Sequence, residues 1–252
     1  MAALDDIVQH VNRTLVAAAI PDYCPNGLQV EGRSEVATLI SGVTACEAFL
    51  EAAIDAGADA VLVHHGYFWK NDSPTVTGML GRRVRRLVKA DVSLMAWHLP
   101  LDVDPVFGNN AEIGRRLGIE GAQAVAAGGT EGLLWFGDLT AALGAEALAE
   151  RIDQVLARRP LVVADHGRPI RRFGWCSGGA QGFLADAARL GCDAYLSGEI
   201  SEKTMHEARE LGVTYFHAGH HASERFGVQA LGEHLADHFS LTHRFIDIDN
   251  PA

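Results

Sequence analysis

Leu4, Ile7, Val8, Val11 and Leu15 recur at helical spacing and stop before Pro21, which predicts an amphipathic helix at the start of the chain. A polar loop, Pro21-Asp-Tyr-Cys-Pro-Asn-Gly27, follows it, and the apolar run Val36 to Val43 then reads as a buried strand. Ala45 to Ala56 reads as a helix stopped by Gly57, and Ala60 to Val63 as a strand ending in His64-His65-Gly66. A loop rich in Asn, Asp, Ser, Pro and Gly precedes a helix near Leu80 to Ala90. Val92 to Trp97 is a strand that runs into His98-Leu-Pro-Leu-Asp102. Strands alternating with helices in this way indicate an α/β layered fold.

The Ala/Gly-rich stretch 121–130 is the best candidate for a linker. Beyond it come strand-like Leu133 to Leu139, a helix over Ala145 to Ala157, and strands near Leu161 to Val163 and Arg171 to Trp175. The pattern of the first half then returns. Phe49-Leu50, Gly57, Asp59-Ala60 and Leu62 reappear 134 residues later as Phe183-Leu184, Gly191, Asp193-Ala194 and Leu196, which sets His65 against Glu199. At a register shifted by a few residues, the strand before His98-x-x-x-Asp102 corresponds to Val213 to Gly219 before His220-x-x-x-Glu224. Helices Asn110 to Leu117 and Val228 to Phe239 follow in the two halves. The expected architecture is internally duplicated: two similar α/β halves with mixed sheets, residues 1–120 and 121–252. The C-terminal segment is expected to pack back on the first half.

Composition narrows the function. The 252 residues are 48% hydrophobic, enough for a substantial core. With 21 basic and 32 acidic residues the net charge is −11, which disfavours nucleic acid as the main partner. Arg82, Arg83, Arg85 and Arg86 form the one basic cluster, read here as a solvated helix face. Cys24, Cys46, Cys176 and Cys192 have neither C-x-x-C spacing nor the density of a disulfide framework, so they read as reduced thiols of a cytoplasmic protein. The N-terminus is acidic where a signal peptide would be basic, and no apolar run reaches membrane-spanning length.

The candidate chemistry lies in four loops that α/β sheets place at the carboxyl ends of strands: His64-His65-Gly66, His98-x-x-x-Asp102, Ser197-Gly-Glu199 and His220-x-x-x-Glu224. All four carry imidazole or carboxylate groups, and none has a cysteine or a serine-nucleophile motif. This donor set suits two divalent first-row transition-metal ions: Zn, Fe, Mn, Co or Ni. Adjacent residues of a strand point to opposite sides, so His64 and His65 are expected to serve two ions rather than chelate one. Asp102, His220 and Glu224 complete the expected ligand set, with Asp102 or Glu224 bridging or capping. Two ions roughly 3.5–4 Å apart hold a water between them and acidify it, which generates a nucleophile for hydrolysis. His98 and Glu199 are then expected to orient ligands or shuttle protons. His10, His166, His206, His234, His238 and His243 lack such context and read as structural or solvated, and His217 and His221 as neighbours of the cluster. Gly178-Gly179 either present backbone N–H groups to an anion or allow close strand–helix packing. The chain has no Walker A loop, no G-x-G-x-x-G after a strand and no G-x-S-x-G elbow, so ATP motors, dinucleotide enzymes and serine hydrolases are unsupported.

The chain resembles the Nif-three-like dinuclear metal proteins, a family often labelled GTP cyclohydrolase I type 2 homologues. The resemblance is carried by Asn26-Gly-Leu-Gln-Val30, His64-His65-Gly66, His98 to Asp102, Cys176-Ser-Gly-Gly179, Ser197-Gly-Glu199 and Gly219-His-His-Ala-Ser-Glu-Arg225, so it covers essentially the whole chain. One loop departs from the family's form: His98-Leu-Pro-Leu-Asp102 stands where His-Thr-Asn-Leu-Asp is expected. The resemblance implies an interlocked duplicated fold, a toroidal homohexamer with inward-facing sites, and metals at His64, His65, Asp102, His220 and Glu224. It also implies the short form of the family, without an inserted domain. The function expected is a dinuclear metal-dependent hydrolase acting on a small, nucleotide or phosphorylated substrate; the alternative is a non-catalytic metal-handling or regulatory protein.

Overall fold

The computed structural model describes residues 1–252. The elements run β1 (Ala2–Ala3), α1 (Leu4–Thr14), β2 (Gly27–Val30), β3 (Glu35–Val36), β4 (Thr38–Thr44), α2 (Glu47–Asp55), β5 (Ala60–His65), α3 (Gly78–Ala90), β6 (Ser93–Ala96), α4 (Leu99–Val103) and α5 (Asn109–Arg116). They continue β7 (Ile119–Ala127), β8 (Thr130–Leu143), α6 (Ala145–Leu156), β9 (Leu161–Val163), β10 (Ile170–Cys176), α7 (Leu184–Arg189), β11 (Ala194–Ser197), α8 (Glu202–Leu211), β12 (Thr214–His217), α9 (His220–Ser223), α10 (Arg225–Phe239) and β13 (Thr242–Phe245). The chain divides into two compact units, Met1–Leu101 with Gly227–Asp249 and Asp102–Phe226 with Asn250–Ala252. No helix is long and apolar enough to cross a membrane.

In the first unit β13, β4, β5 and β6 pair in parallel, with β2 antiparallel on the edge. Because β4, β5 and β6 are covered on both faces, they read as continuous apolar runs rather than alternations. Helix α1 buries Leu4, Ile7 and Val11, and its first turn carries Asp5 and Asp6 where the helix dipole favours negative charge. The arginine cluster lies on α3, with Arg82 and Arg85 exposed and Arg86 paired to Glu47 at 3.2 Å and to Glu51 at 2.5 Å.

The second unit contains the sheet β7-β8-β10-β11-β12-β9, in which β10, β11 and β12 are parallel. The stretch expected as a linker is instead the hairpin of β7 and β8, turning at Gly128-Gly129. Strand β7 is built largely of exposed small residues at the sheet edge, so it shows no apolar alternation from which a strand could be read.

The duplication is written into the hydrogen bonds. Asp59 Oδ2 accepts from the backbone N–H groups of Ala37 and Thr38, and Asp193 Oδ2 from those of Arg171 and Arg172, each at 2.9 Å. In each unit the same aspartate's carbonyl then accepts from the first residue of the next parallel strand, Ser93 or Thr214. The aspartate thus ties three adjacent strands at one end of each sheet, and the helix–strand turn before it repeats as Ala58 N–H to Ala53 O and Cys192 N–H to Ala187 O. The fold is α/β with two similar halves and mixed sheets.

Candidate metal centre

In the first unit, β5 delivers His64 and His65 past the end of the β5–β6 ladder, whose last register pair is Val63 with Ala96. His64 is 0% exposed, and its Nδ1–H donates to the Trp97 carbonyl at 3.1 Å. That bond fixes the tautomer and turns Nε2 into the ligand nitrogen. The two rings do not project to opposite sides as strand alternation suggests; their centroids lie 4.6 Å apart, tilted by 42°. His65 is still paired with Thr44 on β4, and the chain leaves the strand directly after it, at Gly66. A side chain at Gly66 has no room, since its Cβ would lie 2.2 Å from Gln29 Oε1. Gln29 in turn accepts the Tyr67 N–H at 2.7 Å and donates to the Pro25 carbonyl.

His98 joins the pair, so ligand nitrogens of His64, His65 and His98 lie within 4.8 Å of one another. The loop before β2 holds His98 in place. Asp22 Oδ1 accepts from His98 Nδ1 at 3.0 Å, Asp22 Oδ2 accepts from Leu99 N–H, and Asn26 Oδ1 accepts from His98 N–H. Burial pushes the Asp22 carboxyl up, but the His98 hydrogen bond and charge, with the Asn26 and Leu99 donors, bring it from 3.8 down to about 2. A carboxyl depressed on folding stabilises the fold above its unfolded pKa, and that stabilisation is lost as pH falls through the folded value. Asp22→Asn is therefore expected to be less stable than the parent at pH 7, with the gap closing between about pH 4 and about pH 2, as read by urea unfolding at each pH. A gap independent of pH would contradict this. Aromatic rings surround His98: Tyr23 and Trp69 each stand edge-on at 5.1 Å, and Trp69 lies 5.8 Å from both Tyr23 and His65. Phe68, directly before Trp69, adopts φ 65°, a left-handed conformation that strains a bulky residue.

In the second unit Asp102, 4% exposed, accepts hydrogen bonds from Asn109 Nδ2 at 2.9 Å and Ser177 Oγ at 3.2 Å. Asn110 ties the same place together: its Nδ2 donates to the Asp102 carbonyl and its Oδ1 accepts the Ser177 N–H at 2.8 Å. His220 opens α9 with Nδ1 at 2.8 Å from Glu199 Oε1 and Nε2 at 3.2 Å from Glu224 Oε2. Burial pushes the His220 pKa down, yet the hydrogen bonds and charges of Glu224 and Glu199 raise it to about 9. Glu224, 3% exposed, closes α9. Cys176 lies within reach of both carboxylates, and burial together with the charges of Asp102 and Glu224 pushes its thiol well up, so it stays protonated. Gly178 serves packing rather than an anion. Its φ is +64°, its Cβ would lie 2.2 Å from Glu224 Oε1, and the helix that follows, α7, has only six residues.

The expected ligands in both units are imidazole nitrogens and carboxylate oxygens, with the Cys24 thiol beside Asp22 and His98 in the first, a donor set that fits a borderline first-row cation. In the second unit the proton on His220 is the cation between two carboxylates, so a divalent ion would compete for that place and release it. Sequence reading gave no site role to Asp22, Asn109 or Asn110, and Asn26 and Ser177 entered it only within the segments that carry the family resemblance.

The sequence model of the family described as Duf34/NIF3 (NGG1p interacting factor 3) matches residues 2–251. The chain belongs to this family. This Duf34/NIF3 chain is 51% identical over 250 residues to the Pseudomonas aeruginosa protein named GTP cyclohydrolase 1 type 2 homolog, covering 99% of each chain. The protein of that name from Allochromatium vinosum is 52% identical over 252 residues, covering 100% of this chain and 98% of the relative. Among solved structures, the protein ybgI, described as of unknown function, superposes with a TM-score of 0.95 at 46% identity, and a Thermus thermophilus protein with 0.89 at 30% identity. Each covers 100% of both chains.

Proposed function

We propose that this Duf34/NIF3 protein is a dinuclear metal-dependent hydrolase of a small heteroaromatic substrate, with His64, His65, Asp102, His220 and Glu224 holding the ions. The observation that carries the proposal is the gathering of His64, His65 and His98 nitrogens within 4.8 Å of one another, where His64 has its tautomer fixed by a backbone carbonyl. Two bound ions would supply Lewis acidity and a water acidified toward neutral pH.

The chain's own residues do the rest. Asp22 holds His98 through Nδ1, so His98 presents Nε2 as the group that takes or gives a proton. Glu199 orients His220 through Nδ1, leaving Nε2 for a ligand role. The rings of Tyr23 and Trp69 beside His98 offer flat apolar surface for a substrate ring. The name GTP cyclohydrolase 1 type 2 homolog, carried by the Pseudomonas and Allochromatium relatives, supports a purine nucleotide as the first substrate to test. The proposal includes assembly as a homohexamer, read as solution mass by light scattering.

The test is metal analysis of protein purified without chelators, beside His65→Ala/Glu224→Ala, followed by a panel of nucleotides, phosphoesters and amides. About two ions per chain in the parent, few in the variant, and metal-dependent turnover in the parent alone are expected. A parent that stays empty when offered Zn, Mn, Fe, Co or Ni would remove the ligand set. Loaded parent with no turnover but ready exchange with apo-proteins would replace the hydrolase by a metal carrier.

A further inference from the structure

The histidines that lack any motif in the sequence include three that meet in the first unit. His10 on α1 has its Nε2 2.8 Å from the Nε2 of His234 on α10. The His238 ring, one helical turn beyond His234, stacks on His10 with centroids 4.1 Å apart and 26° between planes. Phe239 packs edge-on against both His10 and His238, closing one side with apolar surface. His10 and His234 are half-buried and His238 is exposed. Residues expected to be structural or solvated thus include three imidazoles from two helices gathered at one spot.

We propose that His10, His234 and His238 form a further metal site, separate from the five-ligand set above, which takes one zinc-class divalent ion. The spacing of His234 and His238, four apart on a helix, puts both on one face, an arrangement that zinc sites use repeatedly. Three imidazoles leave a fourth tetrahedral position for water. Bonds of about 2.0–2.1 Å to a tetrahedral ion place ligand nitrogens roughly 3.3 Å apart, so the 2.8 Å His10–His234 contact needs to open by only about half an ångström. The exposed His238 ring, stacked on His10, has to turn its nitrogen toward the ion.

The charge state suits ligation too. Burial lowers the pKa of His10, followed by the neighbouring charges of His238, His234 and Arg13; burial and His238 likewise lower that of His234, against the opposing pull of Asp237. Both rings are therefore held toward the neutral form that binds metal, and the ion replaces the N–H···N bond they share. A bound ion ties the N-terminal helix α1 to α10, so it stabilises the fold by linkage.

The test measures zinc stoichiometry and melting temperature in three proteins: the parent, His234→Ala/His238→Ala, and His65→Ala/Glu224→Ala. His234→Ala/His238→Ala is expected to bind one zinc fewer than the parent, and His65→Ala/Glu224→Ala to keep a zinc-dependent rise in melting temperature. Adding His234→Ala/His238→Ala to the latter should abolish that rise. Copper(II) offered to His65→Ala/Glu224→Ala should give an electron paramagnetic resonance spectrum with nitrogen coupling that weakens when His234→Ala/His238→Ala is added. Unchanged stoichiometry in His234→Ala/His238→Ala, or a copper spectrum that the added pair leaves unaltered, overturns the site. Neither outcome depends on whether the five-ligand set binds metal or catalyses anything.

Discussion

Trp175→Ala is expected to destabilise the second unit by about 3–5 kcal/mol, equivalent to a fall of roughly 6–20 °C in its melting temperature. Trp175 is 0% exposed, lies 6.1 Å from both Trp135 and Phe173 by ring centroid, and fills the space over α5 where Gly114 has no side chain. Truncation leaves a cavity among Ile113, Leu148, Ile152 and Phe216, members of the same apolar cluster, which the surrounding sheet and helices cannot collapse to fill. The effect reaches the metal ligands by a short route. Trp175 Nε1 donates to the Asn110 carbonyl at 2.8 Å, and the Asn110 side chain grips Ser177 and Asp102. Metal affinity is therefore expected to fall along with stability, whereas Trp175→Phe keeps most of the volume and loses chiefly that hydrogen bond. Calorimetry and metal titration of both variants check this; a loss under about 1 kcal/mol for Trp175→Ala would mean the site collapses freely.

How much of this was legible in the chain depends on whether the interaction is local. The His64-His65 strand end, the His220-x-x-x-Glu224 pair and the 134-residue echo are patterns over neighbouring positions, and the parallel strands announce themselves as apolar runs. The echo has a physical cause that the hydrogen bonds expose, since Asp59 and Asp193 brace equivalent strands in the two units. The bracing of His98 by Asp22 and Asn26 leaves no such trace, because it joins residues more than 70 positions apart through side-chain contacts with no periodicity. The His10–His234 contact spans 224 positions and is invisible for the same reason. The opposite-side projection expected of His64 and His65 fails at the last two residues of β5, where only the β4 side of the strand is still paired.

Gly178→Ala is expected to disable metal binding in the second unit while Gly179→Ala leaves it intact. Gly178 has φ +64°, and placing an L side chain there costs about 1–2 kcal/mol before any contact is considered. Its Cβ would then lie 2.2 Å from Glu224 Oε1 and 3.2 Å from His220 Nε2. Glu224 cannot yield cheaply: it is 3% exposed at the junction of α9 and α10, and Ser223 beside it accepts from Gly178 N–H and donates to the His220 carbonyl. Moving the carboxylate shifts a proposed ligand directly and disturbs the groups that set the His220 ring. At Gly179 the nearest atoms belong to Glu199 and lie 3.5 Å away, an ordinary contact with a half-exposed side chain. The two neighbouring alanines thus separate placement of Glu224 from general tolerance of the loop. Metal content and zinc titration of the pair, with circular dichroism as the check on folding, decide the matter. Equal metal content in the two variants would show that Glu224 is not held where a ligand must be.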